Sequence, residues 1–249
     1  MENNPAKAGA KNKVMKIIGY ILLLLVIGVI AALQIWKFSG SNTWELEIEK
    51  NGVKIYTIKT PGQDLKKVKG TVTVKATLNQ IVDFLQDQDV CDDFSCLQAE
   101  IIERINSQFY YNSFRYPAPL FFKDREFVTQ SHFVQDPKTL ELFYYHTAAP
   151  GVIPPDDCCV RLSRFYVLWR FKPVGDGKVE IQFMRDFDFG GFVPNFLLNP
   201  NMGASAYSLL NRLQGLLDRE RYKDARYDFV VEPGTKSNVK QIAVNATTD

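Results

Sequence analysis

The pattern of apolar and polar positions divides the chain into an apolar segment, a globular domain and two polar ends. Residues 17–36 form a run of twenty positions without a charge. At about 1.5 Å per residue, a helix of this length spans roughly 30 Å, the thickness of the hydrocarbon core of a bilayer. We therefore predict a disordered cytoplasmic end at 1–13, a transmembrane signal anchor at 14–37, a globular domain at 44–229 and a flexible tail at 234–249.

The charges around the apolar run predict its orientation. Four lysines precede the run, and three glutamates follow it within the next thirteen residues. Basic residues beside a first helix tend to stay in the cytoplasm, so we expect the domain on the far side of the membrane. A cleaved signal peptide is the alternative, with Ala31-Ala32 in its cleavage site.

Alternation of apolar and polar residues dominates the domain and predicts nine strands. These strands cover residues 44–50, 53–60, 67–75, 99–105, 108–116, 125–134, 139–147, 160–171 and 178–187. Asn51-Gly52, between the first two, is a strong signal for a hairpin turn.

Two segments of the domain have helical periodicity instead. Residues 78–86 are amphipathic, and Thr77 is a suitable N-cap. Near the C-terminus, Asn199 as N-cap and Pro200 at the first helical position predict a long helix that runs to about Tyr222. Many antiparallel strands with few helices indicate an α+β fold, in which a curved sheet wraps around the C-terminal helix.

Charge and motif content argue against several classes of protein. Residues 1–37 contain five of the 30 basic and one of the 28 acidic residues, which leaves 25 basic and 27 acidic residues for the rest. A mildly acidic domain without a basic stripe is a poor nucleic-acid binder. The chain has no nucleotide-binding, hydrolase or metalloprotease motif. We therefore expect no cofactor, no metal and no enzymatic activity.

The four cysteines are too few for a disulfide scaffold in a domain of this size. Cys91 and Cys96 flank an acidic loop, and Cys158 and Cys159 are adjacent. One bridge within or between these pairs and four ordinary thiols are both open alternatives. The spacing does not match a zinc site.

Two arginines fall among apolar residues when the strands are sorted into faces. A buried unpaired charge is costly, so Arg125 and Arg185 each need a carboxylate, backbone carbonyls or the polar end of a ligand. His132 falls on the face opposite Arg125, whereas His146 can lie inside the fold. The candidate ligand-binding residues are Arg125, Phe127, Thr129, Tyr144, Phe165, Trp169, Phe183, Arg185, Leu209 and Leu213.

Six short segments carry a family resemblance through their order and spacing. They are WELEIEKNGVKIY at 44–56, VKG at 68–70, YPAP at 116–119, KDREFV at 123–128, DFGGFVP at 188–194 and LN at 198–199. In this order they resemble the START family, the lipid-transfer domains related to steroidogenic acute regulatory protein, and most of all its anchored bacterial members. The chain departs from the family pattern at Phe196, where a tryptophan is frequent, and at Arg125-Glu126, where Arg-Asp is frequent.

The resemblance implies a helix-grip fold around a hydrophobic tunnel that holds one lipid or sterol-like molecule, without a cofactor. Residues 117–124 then correspond to a mobile loop at the tunnel mouth. Gly190 and Gly191 correspond to a hinge, and Pro194 belongs to the lid that follows. A bacterial single-pass protein with its domain in the periplasm is the expected location.

Three functions follow from these patterns. The first is a membrane-anchored domain that binds or transfers a lipid. The second is a helix-grip enzyme, such as a cyclase or hydrolase, that acts on a hydrophobic substrate. The third is a non-catalytic protein-interaction domain, which predicts a filled interior and an exposed apolar patch. The sequence leaves the oligomeric state open.

Overall fold

The computed structural model describes residues 5–94, 96–118, 120–191, 193 and 195–235. The helices are α1 (Pro5–Phe38), α2 (Leu78–Gln86), α3 (Asn195–Leu217) and α4 (Glu220–Lys223), with a 3₁₀ helix at Gln88–Phe94. The strands are β1 (Glu45–Lys50), β2 (Val53–Ile58), β3 (Lys67–Lys75), β4 (Gln98–Arg104), β5 (Phe109–Tyr116), β6 (Asp124–Gln135), β7 (Leu142–Ala148), β8 (Cys159–Arg161), β9 (Phe165–Gly175) and β10 (Lys178–Phe187).

These strands form one curved sheet in the described part of the chain. Its order is β1-β2-β3-β10-β9-β7-β6-β5-β4, and all neighbours in that order are antiparallel. β8 lies off this path and pairs in parallel with the start of β6. The predicted α+β class is confirmed.

The two ends of the sheet differ in what they carry. We call one end the α1 end, because α1 leads into the domain there. The strand termini at this end are Ile58, Lys67, Tyr116, Asp124, Phe165 and Phe187. The β1–β2 and β9–β10 hairpins turn at the opposite end, which we call the turn end.

α1 stands clear of the domain over most of its length. Side chains 13–32 are all exposed, and Lys13–Phe38 is long and apolar enough to cross a membrane. The helix begins at Pro5 and so includes most of residues 1–13, for which the sequence predicts disorder. Proline suits the first turn of a helix, where its missing N–H leaves no hydrogen bond unmade.

Local sequence signals explain the first hairpin and α2. Asn51 and Gly52 both have positive φ angles, as a tight hairpin turn requires. At α2, Thr77 accepts a hydrogen bond from the Gln80 amide, and the Gln80 side chain accepts one from the Thr77 amide. The Glu232 carboxylate binds the first free N–H groups of α2, so the packed domain extends beyond residue 229.

The predicted start of the C-terminal helix is wrong. α3 begins at Asn195, Pro200 lies inside it, and it ends at Leu217 before the separate α4. Asn199 does not cap the helix, because its side chain accepts a hydrogen bond from the Lys66 amide (2.9 Å) and donates one to the Asp64 carbonyl (3.1 Å). The predicted tail falls largely outside the described residues.

The predicted strand at 160–171 is two strands. β8 pairs with β6 and is held there by Arg161, whose guanidinium lies 2.8 Å from the buried Glu126 carboxylate. β9 then pairs with β7 and β10. The chain must change partner between these positions, and one continuous strand cannot do so.

The core lies between α3 and the inner face of the sheet, the face whose side chains point toward that helix. Buried side chains of α3 form one stripe: Met202, Ala206, Leu210, Leu213 and Leu217. Gly70 in β3 permits this close approach, because a Cβ there would lie 2.5 Å from Leu210 Cδ1. The predicted grip of the sheet on the C-terminal helix is confirmed.

All four cysteines are paired in the structure. Cys91 bonds Cys96 across the acidic segment, and Cys158 bonds the adjacent Cys159. The structure thus contains two bridges, one within each set, whereas the sequence analysis left open one bridge or four thiols.

Candidate functional site

The strand register brings the predicted site residues onto one surface. On the inner face, Thr129 of β6 neighbours Asn112 of β5, and Tyr144 of β7 neighbours Trp169 of β9. Trp169 in turn pairs with Phe183 of β10. All ten candidate ligand-binding residues belong to this face or to α3: Arg125, Phe127, Thr129, Tyr144, Phe165, Trp169, Phe183, Arg185, Leu209 and Leu213.

The inner face is packed solid toward the turn end. Phe133, Leu142, Phe171 and Ile181 are at most 1% exposed there. Leu213 and Leu217 close over Phe171 and Ile181, and the space between these side chains is too small for a water molecule. The resemblance implies a tunnel through this region, and this part of the inner face is filled by side chains.

The inner face is less completely covered toward the α1 end. Several side chains there keep accessible surface although they point inward, namely Phe114, Tyr116, His146, Arg185, Phe187 and Leu209. Burial nevertheless lowers the pKa of the His146 ring to about 3 and that of Arg185 to about 10. These side chains are the inward-facing ones that keep accessible surface, and we call the region that they line the inner recess.

A chain of hydrogen bonds crosses the inner face at the base of the recess. Tyr144 Oη donates to Ser131 Oγ (3.0 Å), which donates to Asn112 Oδ1 (3.0 Å). Thr129 Oγ1 donates to the same oxygen (2.9 Å). Tyr110 Oη joins the chain 3.1 Å from Tyr144 Oη. Each buried hydroxyl therefore has a partner, which fixes three neighbouring strands in register.

His146 closes this chain on the recess side. Its Nε2 lies 2.5 Å from Thr129 Oγ1. Because Thr129 gives its only hydroxyl proton to Asn112, Nε2 must carry the ring proton and donate, which leaves Nδ1 as an acceptor. Rings of Phe114 and Phe165 lie 5.3 and 5.2 Å from the imidazole. Burial among such rings removes water from the imidazole, which lowers its pKa and keeps His146 neutral.

Arg185 is a cation without a carboxylate partner in the described part of the chain. Its Nη2 donates to the Met202 carbonyl (3.2 Å) and to Ser205 Oγ (3.0 Å), while its Nε is buried without a hydrogen-bond partner. Phe183 and Phe187 present their rings to the guanidinium at 5.9 and 5.5 Å. The neighbouring Asp186, a possible carboxylate partner, binds Lys67 and Arg164 instead.

Arg125 binds backbone carbonyls from two separate segments of the chain. It is 1% exposed, and its guanidinium donates to the carbonyls of Lys123, Phe189 (2.8 Å) and Gly190 (2.9 Å). It also stacks 4.5 Å above the Phe189 ring. Carbonyls thus supply the partners that the sequence requires for this buried charge, and Arg125 ties the start of β6 to the segment after β10.

The two glycines of the predicted hinge share an unusual backbone conformation. Gly190 and Gly191 both have positive φ angles (66° and 60°), which side-chain-bearing residues rarely adopt. A Cβ at Gly190 would also lie 3.2 Å from Val160 of β8. Pro194, the residue predicted to belong to the lid, lies outside the described residues.

Several polar members of the inner face are absent from the candidates that the sequence suggests. Tyr110 and Asn112 are among these, although they alternate in phase with Phe114 and Tyr116 along β5. A polar residue within an otherwise aromatic inward row is the signal that identifies Asn112. His132 is exposed, as predicted.

No family model matches the chain. An uncharacterized protein of Pseudomonas aeruginosa is 23% identical over 176 residues, which cover 70% of this chain and 84% of that protein.

Solved structures resemble the fold over most of the chain. The STAR-related lipid transfer protein from Xanthomonas axonopodis superposes with a TM-score of 0.64 at 21% identity, covering 71% of this chain and 99% of that one. Human StAR-related lipid transfer protein 5 gives 0.61 at 17% identity, covering 80% and 97%. The chain therefore has the helix-grip fold of the START lipid-transfer domains.

Proposed function

We propose that this protein is a single-pass membrane protein whose domain binds one lipid in the inner recess. The START fold supports lipid binding, and the exposed apolar length of α1 supports a transmembrane anchor. Two paired sets of cysteines fit an oxidising compartment, which favours the periplasmic side of a bacterial inner membrane.

The observation that carries this proposal is the state of Arg185. An arginine with a buried, unpartnered Nε and no carboxylate partner among the described residues offers free hydrogen-bonding capacity beside aromatic rings. Its pKa of about 10 keeps it charged at neutral pH. A phosphate or carboxylate head group supplies the missing acceptors and the opposite charge, so the proposed ligand is an amphiphile with an anionic head.

The packing of the inner face sets where such a ligand lies. The head binds Arg185, and the aromatic walls formed by Phe114, Phe165 and Phe187 contact the first part of the apolar chain. The turn end is filled. A long acyl chain therefore has to leave through the mouth of the recess or displace α3 from the sheet.

We propose that the recess binds its ligand without catalysing a reaction. His146 is the one histidine on the inner face among the described residues, and Thr129 occupies its Nε2. A ring with a pKa of about 3 is a weak base at neutral pH. No carboxylate is hydrogen-bonded to it in the described part of the chain, so it lacks the partner that orients a general base.

A protein-interaction domain is the second candidate, because the turn end of the interior is filled. This function predicts no bound lipid. Ligand content therefore separates the two proposals directly.

The decisive experiment is to extract and identify lipids from the full chain purified in a detergent that is absent from cells. We expect roughly one anionic lipid per protein. Arg185→Gln should weaken lipid binding by roughly 10-fold or more, and so lower the lipid recovered per protein, since a hydrogen bond to a charged group contributes about 1.5–3 kcal/mol.

Arg226→Gln is the matched control. Arg226 is exposed and donates only to the carbonyl of the preceding residue among its described contacts, so its loss should leave the lipid content unchanged. Wild-type protein without stoichiometric lipid contradicts lipid binding. Equal lipid content in both variants contradicts the role of Arg185.

A further inference from the structure

We infer that the Cys158–Cys159 bridge is a redox-active site that a dithiol protein reduces, and that its oxidation state controls how firmly β8 supports the segment after β10. This inference concerns the start of β8 and does not depend on what the inner recess binds. Two observations carry it. The bridge joins neighbouring residues at an exposed position, and the residues on both sides of it are anchored to the rest of the domain.

Stabilisation of the fold does not account for this bridge. A disulfide stabilises a protein mainly by restricting its unfolded chain, and this effect grows with the number of residues in the loop that it closes. Cys158 and Cys159 are adjacent, so the peptide bond already holds them together. The other bridge, Cys91–Cys96, closes a longer loop and connects the 3₁₀ helix to the segment before β4. The bridge between neighbours therefore calls for a different role.

The bridge is also accessible to a reductant. Cys158 is exposed and Cys159 is half-buried, whereas Cys91 of the other bridge is only 8% exposed. Exposed disulfides are the labile ones, because the attacking thiolate must reach one of the two sulfurs. The Cys91–Cys96 bridge is therefore a less accessible reference within the same molecule.

Reduction proceeds by two thiol–disulfide exchanges. A thiolate of the dithiol protein attacks the exposed Cys158 Sγ and forms a mixed disulfide with it. The bond between the two sulfurs breaks, and its electron pair leaves on Cys159 Sγ, which takes up a proton. The second thiol of the reductant, as its thiolate, then attacks the reductant's own sulfur in the mixed disulfide and releases Cys158, which is protonated in turn. The dithiol is thereby oxidised to a disulfide, and the bridge is reduced to two thiols.

The bridge restrains the backbone at the point where β8 begins. Successive side chains of a strand point to opposite faces, whereas a bridge between neighbours holds both sulfurs together. Cys158 accordingly lies in a turn, and β8 starts at Cys159 and has only three residues. Cys159 is paired with Asp124 at the start of β6. Reduction removes the restraint directly beside this first pair of the parallel ladder.

The residues before the bridge are fixed by side chains from β5 and from the loop that follows it. The Asp156 carboxylate accepts hydrogen bonds from Arg115 Nη2 (3.0 Å) and from the Cys158 amide (3.0 Å). Lys123 Nζ donates to the Asp157 carbonyl (2.8 Å). Because this side is held in place, a change at the bridge is taken up by β8.

β8 in turn supports the segment after β10, residues 188–191. A Cβ at Gly190 would lie 3.2 Å from Val160 Cγ1, and one at Gly191 would lie 3.7 Å from Val160 Cγ2. The middle residue of β8 therefore packs against both glycines. Arg125 binds the same segment through its carbonyls. When β8 loosens, this segment keeps its hydrogen bonds to Arg125 and loses the packing beneath its glycines.

The test titrates the full chain in detergent with mixtures of reduced and oxidised dithiothreitol. Alkylation of the free thiols at each ratio, followed by mass spectrometry of peptides, reports each bridge separately. We expect Cys158–Cys159 to open at a ratio of reduced to oxidised reagent at least about 10-fold lower than Cys91–Cys96 does. Thioredoxin whose second cysteine is replaced by serine should remain attached to Cys158 as a mixed disulfide.

Hydrogen exchange measures the structural consequence. At a ratio that opens only Cys158–Cys159, the peptides that cover residues 158–161 and 186–191 should exchange faster than in the oxidised protein. A chain with Cys158→Ser and Cys159→Ser should exchange at the faster rate whatever the ratio. The matched control carries Cys91→Ser and Cys96→Ser and should keep the redox response of residues 158–161.

Two results would overturn the inference. If both bridges open at the same ratio, or Cys91–Cys96 opens first, Cys158–Cys159 is an ordinary structural bridge. If selective reduction leaves the exchange of residues 158–161 and 186–191 unchanged, the bridge does not control β8. Neither readout uses lipid content, so a failure of the proposed lipid binding is distinguishable from both.

Discussion

At the residue scale, the polar groups of the inner face differ in how completely their hydrogen bonds are satisfied. Asn112 Oδ1 accepts two hydroxyl protons, and this fixes the direction of the whole chain of hydrogen bonds up to His146. Arg125 has all its partners in backbone carbonyls, whereas Arg185 lacks one at Nε. Strand alternation places both arginines on the inner face, but their roles differ. Arg125 connects two backbone segments, whereas Arg185 is the candidate residue for binding a lipid head group.

The neutral state of His146 predicts a pH dependence of stability. Its pKa is about 3 in the folded protein and near 6.5 in an unfolded chain. Between these values the unfolded chain binds a proton that the folded protein does not, so stability falls as the pH drops below about 6.5. From pH 7 to 5 this group should lower the free energy of unfolding by about 2 kcal/mol.

Chemical denaturation of wild type and His146→Gln at both pH values measures this effect. The variant should lose correspondingly less stability on acidification than wild type, since all other groups titrate in both proteins. An identical pH dependence in the two proteins would contradict a neutral, desolvated His146.

At the element scale, α3 is held by one apolar stripe, and its start is set by tertiary contacts. The helix begins four residues before the Asn-Pro signal, because Asn199 is engaged by Asp64 and Lys66 of the loop before β3. The same loop binds the end of α1. α1, the β2–β3 loop and the start of α3 thus form one connected unit at the α1 end of the sheet.

Two leucines on α3 test how tightly the helix packs against each end of the sheet. Leu213 is 2% exposed against Trp169 and Phe171, whereas Leu209 is only partly buried, beside the inner recess. Leu213→Ala should lower the free energy of unfolding by about 2–5 kcal/mol, because it leaves a cavity in tightly packed surroundings. Leu209→Ala removes the same atoms from the same helix and should cost less than half as much.

Thermal and denaturant unfolding of the two variants provide the measurement. Because both substitutions change helix propensity equally, the difference reports packing alone. Equal losses would mean that the recess around Leu209 is filled as densely as the turn end.

At the scale of the whole molecule, the last turn of α1 belongs structurally to the domain. The sequence places the boundary of the membrane segment at residue 37, yet Trp36 and Lys37 both bind the β2–β3 loop. A truncation that ends before Trp36 therefore keeps these contacts, whereas one that extends past Lys37 removes them.

Two truncated proteins measure this contribution. A chain that starts at Trp36 keeps all four backbone carbonyls that accept hydrogen bonds from Lys59 Nζ, and one that starts at Ser41 loses two of them. We expect the shorter protein to melt about 2–6 °C lower, which corresponds to about 1–2 kcal/mol for a domain of this size. Equal melting temperatures would show that the contacts of residues 36–39 with the β2–β3 loop add no stability to the domain.

Much of the architecture follows from local sequence patterns. Alternation along the strands placed Arg185, Trp169 and Phe183 on one face, and Asn51-Gly52 set the first hairpin, because side-chain period and turn geometry depend on neighbouring residues alone. The same holds for α2, whose cap lies within four residues, and for the apolar length of α1.

Properties that depend on distant partners appeared only in the folded molecule. The pairing of β8 with β6, the start of α3 and the role of Arg125 are set by residues far apart in the chain. The division of the inner face into a filled end and a recess also belongs to this group, since it depends on how much side-chain volume α3 brings against the sheet. Sequence alone determined which residues face inward. The tertiary structure decided which of them keep accessible surface and which keep an unsatisfied hydrogen-bond donor.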